Sequence, residues 1–135
     1  HTMQHLHLYE PAGFIDKYVL SEVEITPLDT CVAVHVTCST RQMGLADTIA
    51  RVAKACAKNV LVPEEIGCCA FAGDKGFTEP ALNKWALRKL KPQVEKAGAT
   101  MGVSNSRTCE IGLSTHSGID YCSIAHLVNM CAKRK

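Results

Sequence analysis

Aromatic residues are scarce: three Phe, three Tyr and one Trp make up 5% of the 135 residues. A surface that stacks bases needs rings interleaved with clustered Lys and Arg. Here 15 basic residues are almost balanced by 13 acidic ones, for a net charge of +2, so no dedicated nucleic-acid interface is expected. Long apolar runs are missing too, and nothing approaches the roughly 18 residues of a membrane-spanning helix. The opening His1-Thr2-Met3 is polar, lacks the apolar stretch of a secretory signal, and reads as a vector remnant ahead of a Met. There is no Gly-x-Ser-x-Gly, no His-Glu-x-x-His and no Gly-x-Gly-x-x-Gly, which removes the usual serine-hydrolase, zinc-protease and dinucleotide-binding readings. Ala72-Gly73-Asp74-Lys75-Gly76 lacks the spacing of a phosphate-binding loop. No flavin site is identifiable within this chain.

What is present suffices for one buried core: 47% apolar and 21% charged residues are ordinary globular values. Residues 1–30 read as a tag remnant, a lead-in helix over Leu8–Val23 with Pro11 near its first turn, and a turn at Pro27 and Asp29. From residue 31 to 135, apolar runs alternate with helical periodicity. Strands are expected at Cys31–Val36, Asn59–Val62 and Thr100–Val103, with a weaker one at Ile119–Cys122. Helices are expected over Met43–Ala57, Thr78–Lys96 (closed by Gly98), Cys109–Thr115 and Ser123–Ala132, the last finished by Lys133-Arg134-Lys135 at its negative dipole end. The stripe of the second helix is Leu82, Trp85, Ala86 and Leu90. This order predicts an α/β fold: a three-layer domain with a short, mostly parallel sheet of about four strands.

Eight cysteines stand out, at about 6% of the chain, below the density of a disulfide scaffold. Cys31 and Cys56 sit within a strand and on an apolar helix face and read as packing, as do Cys122 and Cys131, with Cys122 close enough to a strand end to be a spare ligand. Cys38, the Cys68-Cys69 pair and Cys109 each follow a predicted strand. Loops after the strands of a parallel sheet gather at one edge, where ligands bind. Four soft thiols arriving there suit an iron–sulfur cluster or zinc. Inert buried thiols are the plainer alternative.

Three blocks carry a family resemblance: His35-Val36-Thr37-Cys38-Ser39; Gly67-Cys68-Cys69-Ala70-Phe71-Ala72-Gly73-Asp74-Lys75-Gly76-Phe77; and Ser104-Asn105-Ser106-Arg107-Thr108-Cys109-Glu110-Ile111-Gly112. Together they resemble the C-terminal cysteine-rich (CCG) domain of FAD-linked D-lactate dehydrogenases. Heterodisulfide reductases and the membrane-anchor subunit of anaerobic glycerol-3-phosphate dehydrogenase share the cysteine pattern. The resemblance implies that the chain is a C-terminal piece of a larger flavoprotein, with FAD and ferredoxin-like domains elsewhere in the parent. It implies an iron–sulfur centre, a 4Fe-4S cluster first, held by Cys38, Cys68, Cys69 and Cys109. Electrons would pass from D-lactate or another 2-hydroxy acid, through the flavin, toward a quinone or cytochrome, in the cytoplasm or at the inner membrane's surface. A structural or docking module, with zinc or without a redox centre, is the alternative. Two positions depart from the general pattern: Ala70 stands where a glycine usually follows the cysteine pair, and Gly112 stands where a further cysteine closes a Cys-x-x-Cys.

Among the remaining polar residues, His35 alternates with valines and reads as a satisfied sheet histidine. His116 is a possible extra ligand or quinone contact, and His126 reads as ordinary surface or core. Arg107, two residues before Cys109, and the amides of the Gly73–Gly76 turn are candidates to offset thiolate charge. Glu64 and Glu65, adjacent at a strand end, are not placed as an acid/base pair.

Overall fold

The computed structural model describes residues 6–134, so the opening His1-Thr2-Met3 and Lys135 lie outside the described residues. In chain order the elements are α1 (Pro11–Phe14), which runs on as a wider π-helical turn over Ile15–Val19, β1 (Val23–Ile25), β2 (Leu28–Val34), α2 (Cys38–Gln42), α3 (Ala46–Cys56) and β3 (Ala57–Leu61). There follow α4 (Lys75–Thr78), α5 (Pro80–Ala86), α6 (Leu90–Ala97), β4 (Ala99–Ser104), α7 (Arg107–Ser117), β5 (Tyr121–Ser123), α8 (Ile124–Cys131) and β6 (Ala132–Arg134). Strands β3-β2-β4-β5 form a parallel sheet in that order, and helices cover both of its faces. The alternation of side chains along β2 sorts the two cores. Val32 and Val34 pack with Ala12, Ile15, Ile49, Val52, Leu127 and Val128 on one side. Ala33 packs with Phe71, Leu87, Leu90, Val94, Leu113 and Tyr121 on the other. The α/β class and the four-stranded parallel sheet agree with the sequence pattern.

Several expected elements are redrawn. Leu8 and Tyr9 precede the lead-in helix, Pro11 is its first residue, and Val23 belongs to a strand. Val23–Ile25 pairs antiparallel with Ala132–Arg134, so Lys133 lies in a strand rather than at the end of the last helix. Leu28 and Asp29, expected in a turn, begin β2. The helix expected from Met43 is two: Gly44, at φ 71°, separates α2 from α3, and α2 starts at Cys38 because the Thr37 hydroxyl accepts from the Thr40 amide. The long helix expected over 78–96 is likewise divided, into α5 and α6, with Thr78 closing α4. Asn83 and Leu87 face inward, whereas Leu82 and Trp85, read as core, stand 57% and 67% exposed, and Phe77 is exposed too. Among the described residues, no helix is long and apolar enough to cross a membrane.

Candidate metal centre

Since β2, β3 and β4 run parallel, the segments leaving their C-terminal ends meet at one edge of the sheet. Cys38 is the first residue of α2, after β2. Cys68 and Cys69 lie in the long segment between β3 and α4, and Cys109 lies in the first turn of α7, after β4. The Cys69 thiol donates to Cys109 Sγ at 3.0 Å. Cys69 is 3% exposed, Cys109 is half-buried, and Cys38 and Cys68 are exposed. The thiols sense one another. Interaction with Cys68 is the first cause raising the Cys38 pKa, followed by burial and the charges of Cys68 and Cys69. The bond it donates, then burial, pushes the Cys69 thiol well up. The same bond, received, lowers Cys109 to about 7, with burial opposing and a hydrogen bond from Ser106 assisting. One of the pair is thus ready to be a thiolate near neutrality, the form that binds metal.

His35 completes this arrangement, and the sequence reading missed it. A ring nitrogen of His35 and the sulfurs of Cys69 and Cys109 all lie within 4.8 Å of one another, a group able to hold a metal ion. His35 is 4% exposed, its Nε2 has no hydrogen-bond partner, and burial lowers its pKa, keeping the imidazole neutral. It is therefore not the satisfied sheet histidine expected from the valine alternation. The backbone places it: His35 N donates to Val103 O at 2.9 Å, just beyond the end of β2. The signal available in the sequence was parity, since residue 35 lies two beyond Ala33, whose side chain points to the core layer that contains Cys69.

Other expected contributors are elsewhere. The guanidinium of Arg107, the candidate counter-charge to the thiols, bonds the buried Glu110 carboxylate at 2.9 Å. The amides of Lys75, Gly76 and Phe77 donate within their own turn, to the carbonyls of Ala72, Phe71 and Asp74. His116 sits in the last turn of α7, at the opposite end from Cys109, and His126 is exposed. Cys122 packs at the margin of the core that contains Cys56 and Cys131, while Cys31 packs at the margin of the other. Burial first, then the neighbouring Cys131, pushes Cys56 up to about 12, as expected of an inert core thiol.

Asn83 is a second residue that the sequence reading did not single out. Its buried amide donates from Nδ2 to the Cys69 carbonyl at 2.5 Å. A Cβ added at Gly112 would come within 2.6 Å of that Nδ2 and 3.0 Å of the Phe71 ring, so Asn83 and Phe71 fill the space a side chain there would need. Ala70 has φ 58°, and Glu65 and Ala72 also lie in the left-handed region. The glycine usual after the cysteine pair thus corresponds to a backbone conformation that this chain adopts with an alanine.

Comparison with known proteins adds one match: a family model described as a cysteine-rich domain, CCG, covers residues 32–114, more than half of the chain, and spans all four cysteines. No curated protein and no solved structure matches.

Proposed function

Because the chain belongs to the family of CCG cysteine-rich domains, we propose that its cysteine edge is a metal centre, first of all an iron–sulfur centre that relays electrons. The observation that carries this reading is the convergence at one sheet edge of thiols from three separate loops, those that follow β2, β3 and β4. Soft sulfur donors, two of them exposed and one lowered to about 7, fit the chemistry of such a group. Cys38, Cys68, Cys69 and Cys109 would hold it, and when bound it supplies one-electron transfer. The protein's own part is to fix the thiols on a rigid sheet edge and to keep Cys69 and Cys109 away from bulk water while Cys38 and Cys68 face it.

Within this reading the chain is a terminal redox module of an FAD-dependent D-lactate or related 2-hydroxy-acid dehydrogenase. It would receive electrons from flavin and ferredoxin-like domains of the same parent and pass them to a quinone or cytochrome, in the cytoplasm or peripherally at the inner membrane. The motif resemblance supports that assignment.

A second reading is favoured by His35. A single tetrahedral zinc with bonds of roughly 2.3 Å to sulfur brings its thiolates to about 3.8 Å from one another. A group of His35, Cys69 and Cys109 within 4.8 Å suits such an ion better than a cage, whose terminal thiolates stand further apart. Anaerobic reconstitution with iron and sulfide, followed by metal and sulfide analysis, separates the two. Iron with acid-labile sulfide and a reducible visible spectrum, lost in Cys69→Ser and Cys109→Ser, supports the redox centre. Stoichiometric zinc supports the second reading, and the absence of any bound metal leaves a structural or docking module.

A further inference from the structure

Glu10 lies well outside the stretch matched by the family model, on the segment that leads into α1, yet its side chain reaches the edge that carries the cysteines. One carboxylate oxygen, Oε1, accepts from the Gly13 amide at 2.6 Å and caps α1. The other, Oε2, accepts from Asn105 Nδ2. Asn105 stands between β4 and α7, four residues before Cys109, and its Nδ2 also donates to Thr40 Oγ1 at 3.3 Å. Thr40 belongs to α2, two residues after Cys38. It is buried, shares a 2.8 Å bond with the Thr37 hydroxyl, and donates its amide to that hydroxyl at 3.2 Å. A chain of bonds therefore runs from Glu10 through Asn105 to Thr40 and Thr37, tying the Cys109 segment to the Cys38 segment.

The Asn105 amide has little else to orient it. Its buried Oδ1 has no hydrogen-bond partner, so the two Nδ2 bonds fix its direction, and the one to a carboxylate is the stronger type. We propose that Glu10 is a positioning residue for the cysteine edge: through Asn105 it holds the segments bearing Cys38 and Cys109 in register. That this edge is a metal centre rests on the proposed function, but the positioning itself is a property of the metal-free chain and is tested there.

The test separates the two bonds Glu10 makes. Glu10→Asp keeps a good helix cap but is one methylene too short for Asn105. Asn105→Ala removes the link from the other side, and Glu10→Ala removes both cap and link. Site-resolved hydrogen exchange on the reduced, metal-free protein reads the amides of Thr40, Cys109 and Glu110, and iodoacetamide labelling reads the Cys38 and Cys109 thiols. Glu10→Asp and Asn105→Ala are expected to speed exchange at those amides about tenfold, to raise labelling of both thiols severalfold, and to leave α1 protected. Glu10→Ala should do the same and also fray α1, and Glu10→Asp combined with Asn105→Ala should add nothing to either alone. Fraying of α1 in Glu10→Ala, with wild-type exchange and labelling at the cysteine segments in all three variants, overturns the proposal and leaves Glu10 a helix cap. Failure of the wild-type protein to take up metal would count against the metal centre and leave the positioning role of Glu10 standing.

Discussion

Replacing Ala70 by glycine should stabilise the fold slightly, although the same replacement in a helix is harmful. At φ 58° the Ala70 Cβ crowds the backbone, a cost of about 1–2 kcal/mol for a residue other than glycine. Glycine removes that cost but loosens the unfolded chain by about 0.4–1 kcal/mol. It also gives up a half-buried methyl, about 0.4 kcal/mol. The balance is a gain of about 0.5 kcal/mol. Ala50 in α3 is also half-buried but helical, so Ala50→Gly loses the same methyl and pays about 1 kcal/mol of helix propensity. The two variants should therefore differ by about 2 kcal/mol, or roughly 6–8 °C in Tm for a domain of this size. Thermal unfolding followed by circular dichroism, on reduced and metal-free protein, measures this directly. If both variants lower Tm to the same extent, Ala70 carries no conformational strain, and the explanation offered for the glycine of the cysteine pattern fails.

Asn83→Ala should destabilise by about 1–3 kcal/mol in urea unfolding, because it leaves the Cys69 carbonyl buried without its donor; with the amide gone, Gly112→Ala should cost less than it does alone, the contact with the Phe71 ring remaining. Arg51 grips Asp16 through Nε at 3.1 Å and Nη2 at 2.8 Å and holds that carboxyl below its ordinary range. A depressed folded pKa contributes stability above the unfolded value, near 4, and loses it as pH falls through the folded one. Asp16→Asn should accordingly lower Tm at pH 7, by a small amount because Arg51 is exposed, and the difference should vanish in acid. In metal-free protein, the rate of Cys109 alkylation should rise through a midpoint near pH 7, set by the bond from Cys69. A midpoint near 9 in the wild type, or an unchanged midpoint in Cys69→Ala, would contradict that cause.

The sheet was legible because β2 ends in a valine-rich run and the other short strands alternate with helical periodicity, and those signals survive without tertiary context. The three-residue strands Val23–Ile25 and Ala132–Arg134 carry no such run, and their pairing joins the two ends of the described chain, a contact no local window contains. Leu82 and Trp85 were misread because a stripe at helical spacing defines a face only while the helix is unbroken, and Leu87–Lys89 interrupts it. In the candidate site, the rule that ligands follow parallel strands picks out four cysteines and brings Cys69 to Cys109. It is silent on Asn83, whose importance lies in a bond to a carbonyl, and on the unpaired Nε2 of His35, although the parity of β2 assigns residue 35 to the layer that contains Cys69.

Cys38 and Cys109 are 71 residues apart along the chain and are brought to one edge by the pairing of β2 with β4. At a synthesis rate of about 5–20 residues per second, the ribosome delivers the second thiol about 4–14 s after the first. From its own synthesis until then Cys69 lacks the sulfur that will sit 3.0 Å from it, and until β4 is made β2 lacks a neighbour on one side. A chain interrupted just before residue 109 therefore carries three of these cysteines; under the metal-centre reading, the set that would hold the group is complete only after β4 has been made and before β5 follows.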